Sequence, residues 1–454
     1  MGGTSQPEVT GPVVGGQKGR PWSLPLADLA QRGYVAEEFF LAGTAVSYRM
    51  VGGVQQTTDG RWDAEPDAEA PFRSRILVVR PADPDRFNGT VVLSWLNVTA
   101  GYELGTADDD ELLSGYAWVG VSAQKVGIDG FPPGAPAYRG RQAPNPPLKA
   151  WDPDRYGALE HPGDQWSFDI FTQAARAVGP GRDRRTDPMG GHDVRRLVAT
   201  GASQSGARLT TYINAVHPVV GVFDAFLVTI AGGRGSWLGP PPESLSTGPA
   251  ARLGAPTRIR DDITTPVMHL NSECEAVATF PSRREDDDHF RFWEVAGAPH
   301  VVAVVPATRP AGRIDNPLSY RPVQSAAYRH LNAWMTEGTP PPVQPRIAFG
   351  DGPVPEIERD ANGNALGGIR LPEMEAPTAE YHGRDEEAEG LGALYGWARP
   401  FGREELRRLY PSAEAYVEQW SAAVDNLVST GALRPEDAED AKGRGLKVAA
   451  DLDL

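Results

Sequence analysis

Short apolar runs recur along the chain. The runs at 89–97, 115–122 and 195–203 are almost continuously apolar, as expected of strands buried on both faces of a parallel sheet. Two β-rich segments precede them at 33–50 and 72–81 and are bounded by glycine, proline or aspartate. Similar runs continue the β rhythm later in the chain, at 221–233, 266–273 and 290–300.

A helical period lies between two of these runs. Within 165–179 the apolar residues recur at intervals of three and four, and Gly179-Pro180 ends the helix. A second helix is predicted over 325–338. Alternation of strands and helices is typical of an α/β protein, so we predict a mostly parallel central sheet flanked by helices.

Composition changes along the chain and predicts its organisation. Residues 1–20 read as a flexible N-terminal arm, and 21–340 as an α/β core with a lid-like insertion at about 232–262. Residues 341–454 are predicted to form an irregular wrap followed by a helical C-terminal appendage, because 402–450 carries large apolar residues at helical spacing.

Charge and cysteine content exclude several classes of function. A net charge of −16 and a pI near 5.0 argue against binding nucleic acid or an anionic membrane surface. The single cysteine, Cys274, excludes an intramolecular disulfide and the usual cysteine-rich zinc sites. The N-terminus lacks the apolar core of a secretory signal, so we expect a cytoplasmic protein. The sequence leaves the oligomeric state open.

The run at 195–203 leads into Gly201-Ala202-Ser203-Gln204-Ser205-Gly206. A sharp turn from a strand into a helix needs small residues two positions before and after the turn residue, and Gly201 and Ser205 meet this need for Ser203. The strict Gly-x-Ser-x-Gly pattern is absent. Because Ser203 directly follows the strand, we predict it as the nucleophile, and Ser205 as a small residue whose hydroxyl satisfies backbone groups.

A serine nucleophile needs a general base. Only His300 follows a predicted strand and a short turn, in the chain order serine, acid, histidine that this type of site uses. The other histidines precede or adjoin the serine, or lie in a strand, a helix, a charged run or the tail: His161, His192, His217, His269, His289, His330 and His382.

Two carboxylates are candidates for the acid that orients this histidine. The strand beginning at Pro266 ends near Asn271-Ser272, and the acid position falls about three residues further, at Glu275. Glu273 is the rival. The neighbouring Cys274 has no base beside it in the sequence and is interpreted as a packing residue.

The remaining parts of the site are an oxyanion hole and a substrate pocket. The Gln204 N–H at the helix start is one predicted donor, and the N–H of Asn97 or Val98, after the strand 89–97, is the second. Tyr102 and Trp237 are predicted to wall an apolar pocket, together with the loop 129–150.

Several segments resemble one protein family, and together they run from about residue 30 to residue 435. They are "FNGTVVLSWLNVTAGYE", "GYAWVGVSAQKVGI", "GASQSGARLTTYINAVHP", "TPVMHLNSECEA", "FRFWEVAGAPH" and "GNALGGIRLPEMEAPTAEYHG". They are similar to the actinobacterial and proteobacterial α/β-hydrolase domain proteins, a largely uncharacterised family treated as serine esterases. The resemblance implies an α/β-hydrolase fold with Ser203 as nucleophile and His300 as base. Relatives end the acid turn with an aspartate where this chain has Glu275, which leaves the acid open.

These residues predict two-step acyl transfer on a neutral, hydrophobic small-molecule ester, with no metal or organic cofactor. Two alternatives stay open at this stage. An acyltransferase or cyclase would use the same acyl-enzyme, and a binding protein of the same fold would have lost catalysis.

Overall fold

The computed structural model describes residues 6–132, 145–239, 254–302, 309–388 and 390–452. The chain divides into two compact units. The first comprises Met1–Val267 with Ser282–Arg284, and the second comprises Met268–Pro281 with Glu285–Leu454.

The sheet of the first unit combines an antiparallel edge with a parallel centre. Its described strands are β1 (Glu8–Thr10), β2 (Tyr34–Met50), β3 (Ala64–Pro81), β4 (Thr90–Trp95), β5 (Ala117–Val121), β6 (Arg196–Ala202) and β7 (Ala225–Thr229). They lie in the order β1-β2-β3-β5-β4-β6-β7. Strands β1 to β3 pair antiparallel, as does β3 with β5, whereas β5, β4, β6 and β7 run parallel. The parallel strands therefore bring their carboxyl ends to one edge.

Helices of the first unit pack their apolar side on this sheet. Their bounds are α1 (Lys125–Asp129), α2 (Leu148–Trp151), α3 (Pro153–Tyr156), α4 (Ser167–Val178), α5 (Gln204–Thr211) and α6 (His217–Val220), and a π-helical turn at Tyr212–Val216 continues α5. The Phe171 ring of α4 packs against Trp95 of β4 at 4.8 Å and edge-on against Tyr212 at 5.8 Å, measured between ring centroids. The helical period at 165–179 is thus the buried face of α4.

The second unit contains two neighbouring strands, β8 (Val267–Ser272) and β9 (Phe290–Val295), and an antiparallel pair, β10 (Ala379–His382) and β11 (Trp397–Pro400). Its described helices are α7 (Glu273–Thr279), α8 (Arg321–Glu337), α9 (Pro372–Glu375), α10 (Arg403–Leu409), α11 (Ala413–Ser429) and α12 (Ala438–Asp451). Trp420 of α11 is buried and donates its indole N–H to Ala441 O of α12, 2.9 Å away, which fixes this helix pair.

Each apolar run named above contains a strand, and the β-rich segment 33–50 forms one long strand, β2. The start of β3 differs from expectation: it lies at Ala64 rather than near 72, because the polar first half of β3 pairs with β2. The segment 341–400, expected to be irregular, contains α9 and the β10–β11 pair.

The proposed domain boundaries stay predictions. Strand β1, within the predicted arm 1–20, pairs with β2. Of the lid-like insertion, residues 240–253 lie outside the described residues, as do residues 133–144 of the loop 129–150. Within the described ranges, no helix is both long enough and apolar enough to cross a membrane.

Candidate active site

Ser203 occupies a strained turn between β6 and α5. Its backbone has φ 60° and ψ −118°, outside the conformations that a non-glycine residue ordinarily adopts. Its N–H donates to Thr229 O at 3.0 Å, and its carbonyl accepts from Ala207 N at 3.1 Å. Such strain costs about 1–3 kcal/mol and persists only where neighbouring contacts impose it, most often at functional sites.

The turn closes tightly because Gly201 has no side chain. A Cβ at Gly201 would lie 2.6 Å from the carbonyl oxygen of Ser205, closer than side-chain carbons approach backbone oxygens. The position two residues before Ser203 must therefore be small because the backbone of Ser205 lies directly against it.

The Ser205 hydroxyl is fully occupied by the turn itself. Ser205 is completely buried, and its Oγ accepts from Ala202 N at 3.1 Å while donating to Ala202 O at 2.9 Å. This is the supporting role that its position in the first helical turn predicts.

Two backbone N–H groups near Ser203 differ in availability. Gln204 is the first residue of α5, where a backbone N–H has no partner inside the helix. The N–H of Asn97, by contrast, donates to Leu104 O at 3.0 Å. This engagement favours Val98 over Asn97 as the second predicted oxyanion donor.

Asn97 contributes through its side chain. Its Nδ2 donates to Ala202 O at 3.0 Å, and its Oδ1 accepts from Thr99 N at 2.8 Å. Because β4 and β6 are parallel neighbours, this side chain ties the loop after β4 to the turn that carries Ser203.

In the second unit, Glu275 and His300 form a buried pair. Glu275 Oε1 lies 2.6 Å from His300 Nδ1, and Glu275 Oε2 accepts from the hydroxyl of Ser272 at 2.6 Å and from its N–H at 3.2 Å. Burial alone would raise the pKa of Glu275, but the contacts with His300 and Ser272 outweigh it and the pKa is lowered. Glu275 is therefore a carboxylate at neutral pH.

Glu273 is bound by other groups. Its Oε2 accepts from Gly297 N at 2.6 Å, and its Oε1 accepts from Arg359 Nη2 at 2.8 Å and from Gly383 N at 3.1 Å. Glu273 thus joins the turn before His300 to two later segments, whereas Glu275 contacts the imidazole itself.

The neighbouring Cys274 is buried, and burial raises the pKa of its thiol, so it is a thiol rather than a thiolate at neutral pH.

Other described histidines make different contacts. His217 Nε2 pairs with Thr265 Oγ1 at 2.8 Å, and burial lowers the pKa of His217 to about 4. His330 lies 2.9 Å from Gly431 O. His382 contacts Glu380 on its own strand, and its ring stacks on Trp397 at 3.9 Å.

The predicted pocket residues remain predictions. Tyr102 is buried and packs edge-on against Trp22, with ring centroids 5.9 Å apart. Trp237 is half-buried, and its indole nitrogen is buried with no hydrogen-bond partner among the described residues. Tyr102 therefore already has an aromatic neighbour within the protein, whereas no described residue accepts from the Trp237 N–H.

The structure brings together Glu275 with His300, and Asn97 with the Ser203 turn. Ser203 belongs to the first unit and the Glu275–His300 pair to the second. The sequence reasoning missed Ser272. Its signal was present, because Ser272-x-x-Glu275 directly before a helix is the capping-box pattern that the structure contains.

Comparison with known proteins assigns the chain to one family. A family model described as an alpha/beta hydrolase domain matches residues 9–442. Among curated proteins, none matches the chain.

Several solved structures are similar at low identity. A structure from work on two fungal esterases from Rhizomucor miehei is 12% identical over 65% of this chain and 85% of that chain, with a TM-score of 0.32. A glucuronoyl esterase from Solibacter usitatus is 10% identical over 64% of this chain and 80% of that chain, with a TM-score of 0.28. A prolyl endopeptidase is 12% identical over 58% of this chain, with a TM-score of 0.27, and the chain spans only 35% of its length.

Proposed function

The chain belongs to the alpha/beta hydrolase domain family, and from this premise we propose that it cleaves carboxylic esters through Ser203, His300 and Glu275. Family membership confirms the resemblance seen in the sequence and the α/β-hydrolase fold, and it supports a serine hydrolase-type function. The bond cleaved, the triad and the substrate class are the proposal.

One observation carries the proposal: the backbone of Ser203. A serine at φ 60° between a buried parallel strand and a helix has the strained backbone of the sharp turn that, in α/β-hydrolases, exposes the nucleophile's hydroxyl. A structural serine has no need of this strain, and Ser205, two residues on, has relaxed helical surroundings and a fully satisfied hydroxyl.

Proton transfer follows from the Glu275–His300 contact. With Nδ1 of His300 bound to a carboxylate, the neutral ring carries its proton there and leaves Nε2 as the base. In the proposed first step Nε2 takes the Ser203 proton while Oγ bonds to the ester carbonyl carbon. The carbonyl π electrons move to oxygen, and the resulting negative charge is stabilised by the N–H groups of Gln204 and Val98.

The tetrahedral intermediate then collapses. The bond to the alkoxy group breaks, His300 returns its proton to the leaving alcohol, and an acyl-Ser203 ester remains. In the second half, His300 removes a proton from water, and the hydroxide attacks the acyl carbon. Ser203 leaves with the proton and the carboxylic acid is released.

The proposed substrate is a neutral, hydrophobic small-molecule ester. A net charge of −16 disfavours the approach of anionic substrates, whereas a neutral ester meets no such repulsion.

The test uses a fluorophosphonate probe and a series of p-nitrophenyl esters of increasing acyl length. We expect the wild type to be labelled and to hydrolyse at least part of the series. Ser203→Ala should abolish both, and the matched variant Ser205→Ala should keep both. Labelling that persists in Ser203→Ala would overturn the assignment of the nucleophile.

Two other outcomes identify the alternatives. Labelling without hydrolysis of any ester, but with transfer of the acyl group to an added alcohol or amine, indicates an acyltransferase. A wild type that is neither labelled nor active indicates a binding protein.

A further inference from the structure

The loop after β4 is held by the N-terminal segment of the chain. Trp22 donates its indole N–H to the backbone carbonyl of Glu103 at 3.0 Å, and the ring of the neighbouring Tyr102 packs edge-on against the Trp22 ring. Glu103 is adjacent to Leu104, which closes the loop by two backbone hydrogen bonds with Asn97, at 2.7 and 3.0 Å. A contact at Glu103 therefore acts on the short loop that contains Val98.

The Glu103 side chain is buried and paired with Arg75. It is 2% exposed, and its Oε2 accepts from Nη1 of the fully buried Arg75 at 2.6 Å. On its other side, a Cβ at Gly127 of α1 would lie 2.6 Å from Glu103 Cγ, so the backbone of α1 leaves no free space there. The loop is thus confined between Arg75, α1 and Trp22.

Trp22 is itself anchored at three points. Its carbonyl accepts from Arg75 Nη2 at 2.5 Å, its N–H donates to the Tyr156 hydroxyl at 3.0 Å, and its ring packs on Trp151 at 5.2 Å. Tyr156 in turn donates to Glu38, which also binds Arg75 and Arg155. The half-buried Trp22 is therefore hydrogen-bonded to a network of buried side chains.

The preceding residues are attached to α3 and its N-cap. Arg155 donates to the carbonyls of Val13 at 2.8 Å and Gly15 at 2.6 Å. The Asp152 carboxylate accepts from the N–H groups of Gln17 at 3.0 Å and Lys18 at 2.8 Å. These contacts hold the segment 13–22 along its length, so that Trp22 is presented to the loop in one position.

We propose that Trp22 is a positioning residue for the reaction, because it holds the loop 97–104 in the place where the Val98 N–H meets the developing oxyanion. This inference rests on the proposed function. On the proposed mechanism Trp22 contacts neither Ser203 nor the substrate. Its effect on the reaction is therefore limited to the position of the Val98 N–H relative to the oxyanion. Stabilisation of a transition state by such donors depends on placement at hydrogen-bond distance from the charged oxygen.

The experiment compares Trp22→Phe with the matched control Trp151→Phe. Both remove an indole from the same aromatic cluster, but of these two tryptophans it is Trp22 that donates a hydrogen bond to the loop. The readouts are kcat and KM on a p-nitrophenyl ester, inhibition by an alkylboronic acid, which forms a tetrahedral adduct with the serine, and the melting temperature.

We expect Trp22→Phe to lower kcat by about threefold to tenfold, the effect of weakening one hydrogen bond, with KM nearly unchanged. The boronic acid should bind more weakly by a similar factor, because its adduct needs the same donor. Trp151→Phe should change the melting temperature to a similar extent and leave kcat and the inhibition constant near wild type.

Two results overturn the inference alone: an active wild type with an unaffected Trp22→Phe, or an equal loss of kcat in Trp151→Phe. A wild type that neither hydrolyses esters nor binds the boronic acid overturns the proposed function, and this inference with it. If Trp22→Phe does not fold, Tyr156→Phe gives the same test, because it removes the hydroxyl that holds the Trp22 N–H. A smaller loss of kcat at unchanged KM then supports the inference, and no loss overturns it.

Discussion

Glu275 uses its two carboxylate oxygens on different partners: Oε1 contacts His300 Nδ1 at 2.6 Å, and Oε2 accepts from both the N–H and the hydroxyl of Ser272. The orientation of the imidazole and the start of α7 therefore depend on the same buried group.

Replacing Glu275 by Gln should remove most of the activity. An amide can present either a donor or an acceptor to Nδ1, but it cannot stabilise the imidazolium that forms in the transition state. We expect kcat to fall by about 10³- to 10⁴-fold, as when a triad acid is replaced by its amide. Steady-state hydrolysis of a p-nitrophenyl ester measures the loss.

Glu273→Gln is the matched control, since it is an identical substitution two residues away. Glu273 contacts Gly297, Arg359 and Gly383, so this variant should lose stability and keep far more activity than Glu275→Gln. The reverse order of activities would assign the acid to Glu273.

Stability should fall in acid partly through Glu275. Its pKa is lower in the folded protein than its ordinary value of 4.5, so the folded state binds this proton more weakly than the unfolded chain does. The stabilisation is complete above about pH 4.5 and is lost as the pH falls through the lower, folded value.

Melting temperatures measured between pH 7 and pH 3 should therefore decline less steeply below pH 4.5 for Glu275→Gln than for the wild type. The exposed Glu418 in the middle of α11 supplies the control, because Glu418→Gln removes a carboxylate of the same kind from a solvent-facing position and should follow the wild-type curve. Parallel curves for Glu275→Gln and the wild type would contradict the prediction.

Ser205→Ala should separate support from catalysis. The substitution removes both hydrogen bonds that the buried Ser205 hydroxyl makes with the backbone of Ala202. We expect a loss of about 1–3 kcal/mol in the free energy of unfolding, with most of the esterase activity retained. Denaturant unfolding and ester hydrolysis on the same preparation check both parts. Near-complete loss of activity in a folded Ser205→Ala protein would mean that Ser205 takes part in the reaction.

Gly201→Ala should disturb the Ser203 turn directly. Its new methyl group would meet the Ser205 carbonyl at 2.6 Å, and backbone must move to relieve this contact. Overpacking of this kind costs about 1–3 kcal/mol, and it should also lower kcat because the shift occurs next to Ser203.

The control is Gly181→Ala, where no atom lies within 4 Å of the added Cβ. Its melting temperature and activity should match the wild type. Equal melting temperatures and activities of Gly201→Ala and Gly181→Ala would show that the Ser203 turn can accommodate a methyl group at position 201.

Local patterns predicted the elements that carry the site. The apolar run before Ser203 and the small residues around it predict β6, the turn and the start of α5, because strand burial and backbone approach are decided by neighbouring residues. The position three residues beyond the end of β8 predicts Glu275 for the same reason. As a catalytic group Glu275 stays a prediction, as do Ser203 and His300.

Contacts between residues far apart in the chain could not be predicted from the sequence. Glu273 and Glu275 look alike in the sequence, and what distinguishes them are Gly297, Arg359 and Gly383, up to 110 residues away. Trp22 gave no signal either, since it lies in a proline-interrupted segment without strand or helix periodicity and its partner Glu103 is 81 residues on. The first half of β3 is acidic and proline-rich, and pairing with β2 rather than apolar periodicity makes it a strand.

The capping box at Ser272 and Glu275 also constrains any redesign of this protein. Moving the acid to a neighbouring strand would remove the carboxylate oxygen that accepts from the N–H and the hydroxyl of Ser272 at the start of α7, so an engineer must supply a new acceptor for these groups together with the new acid. A change of the acid is therefore also a change at the start of α7.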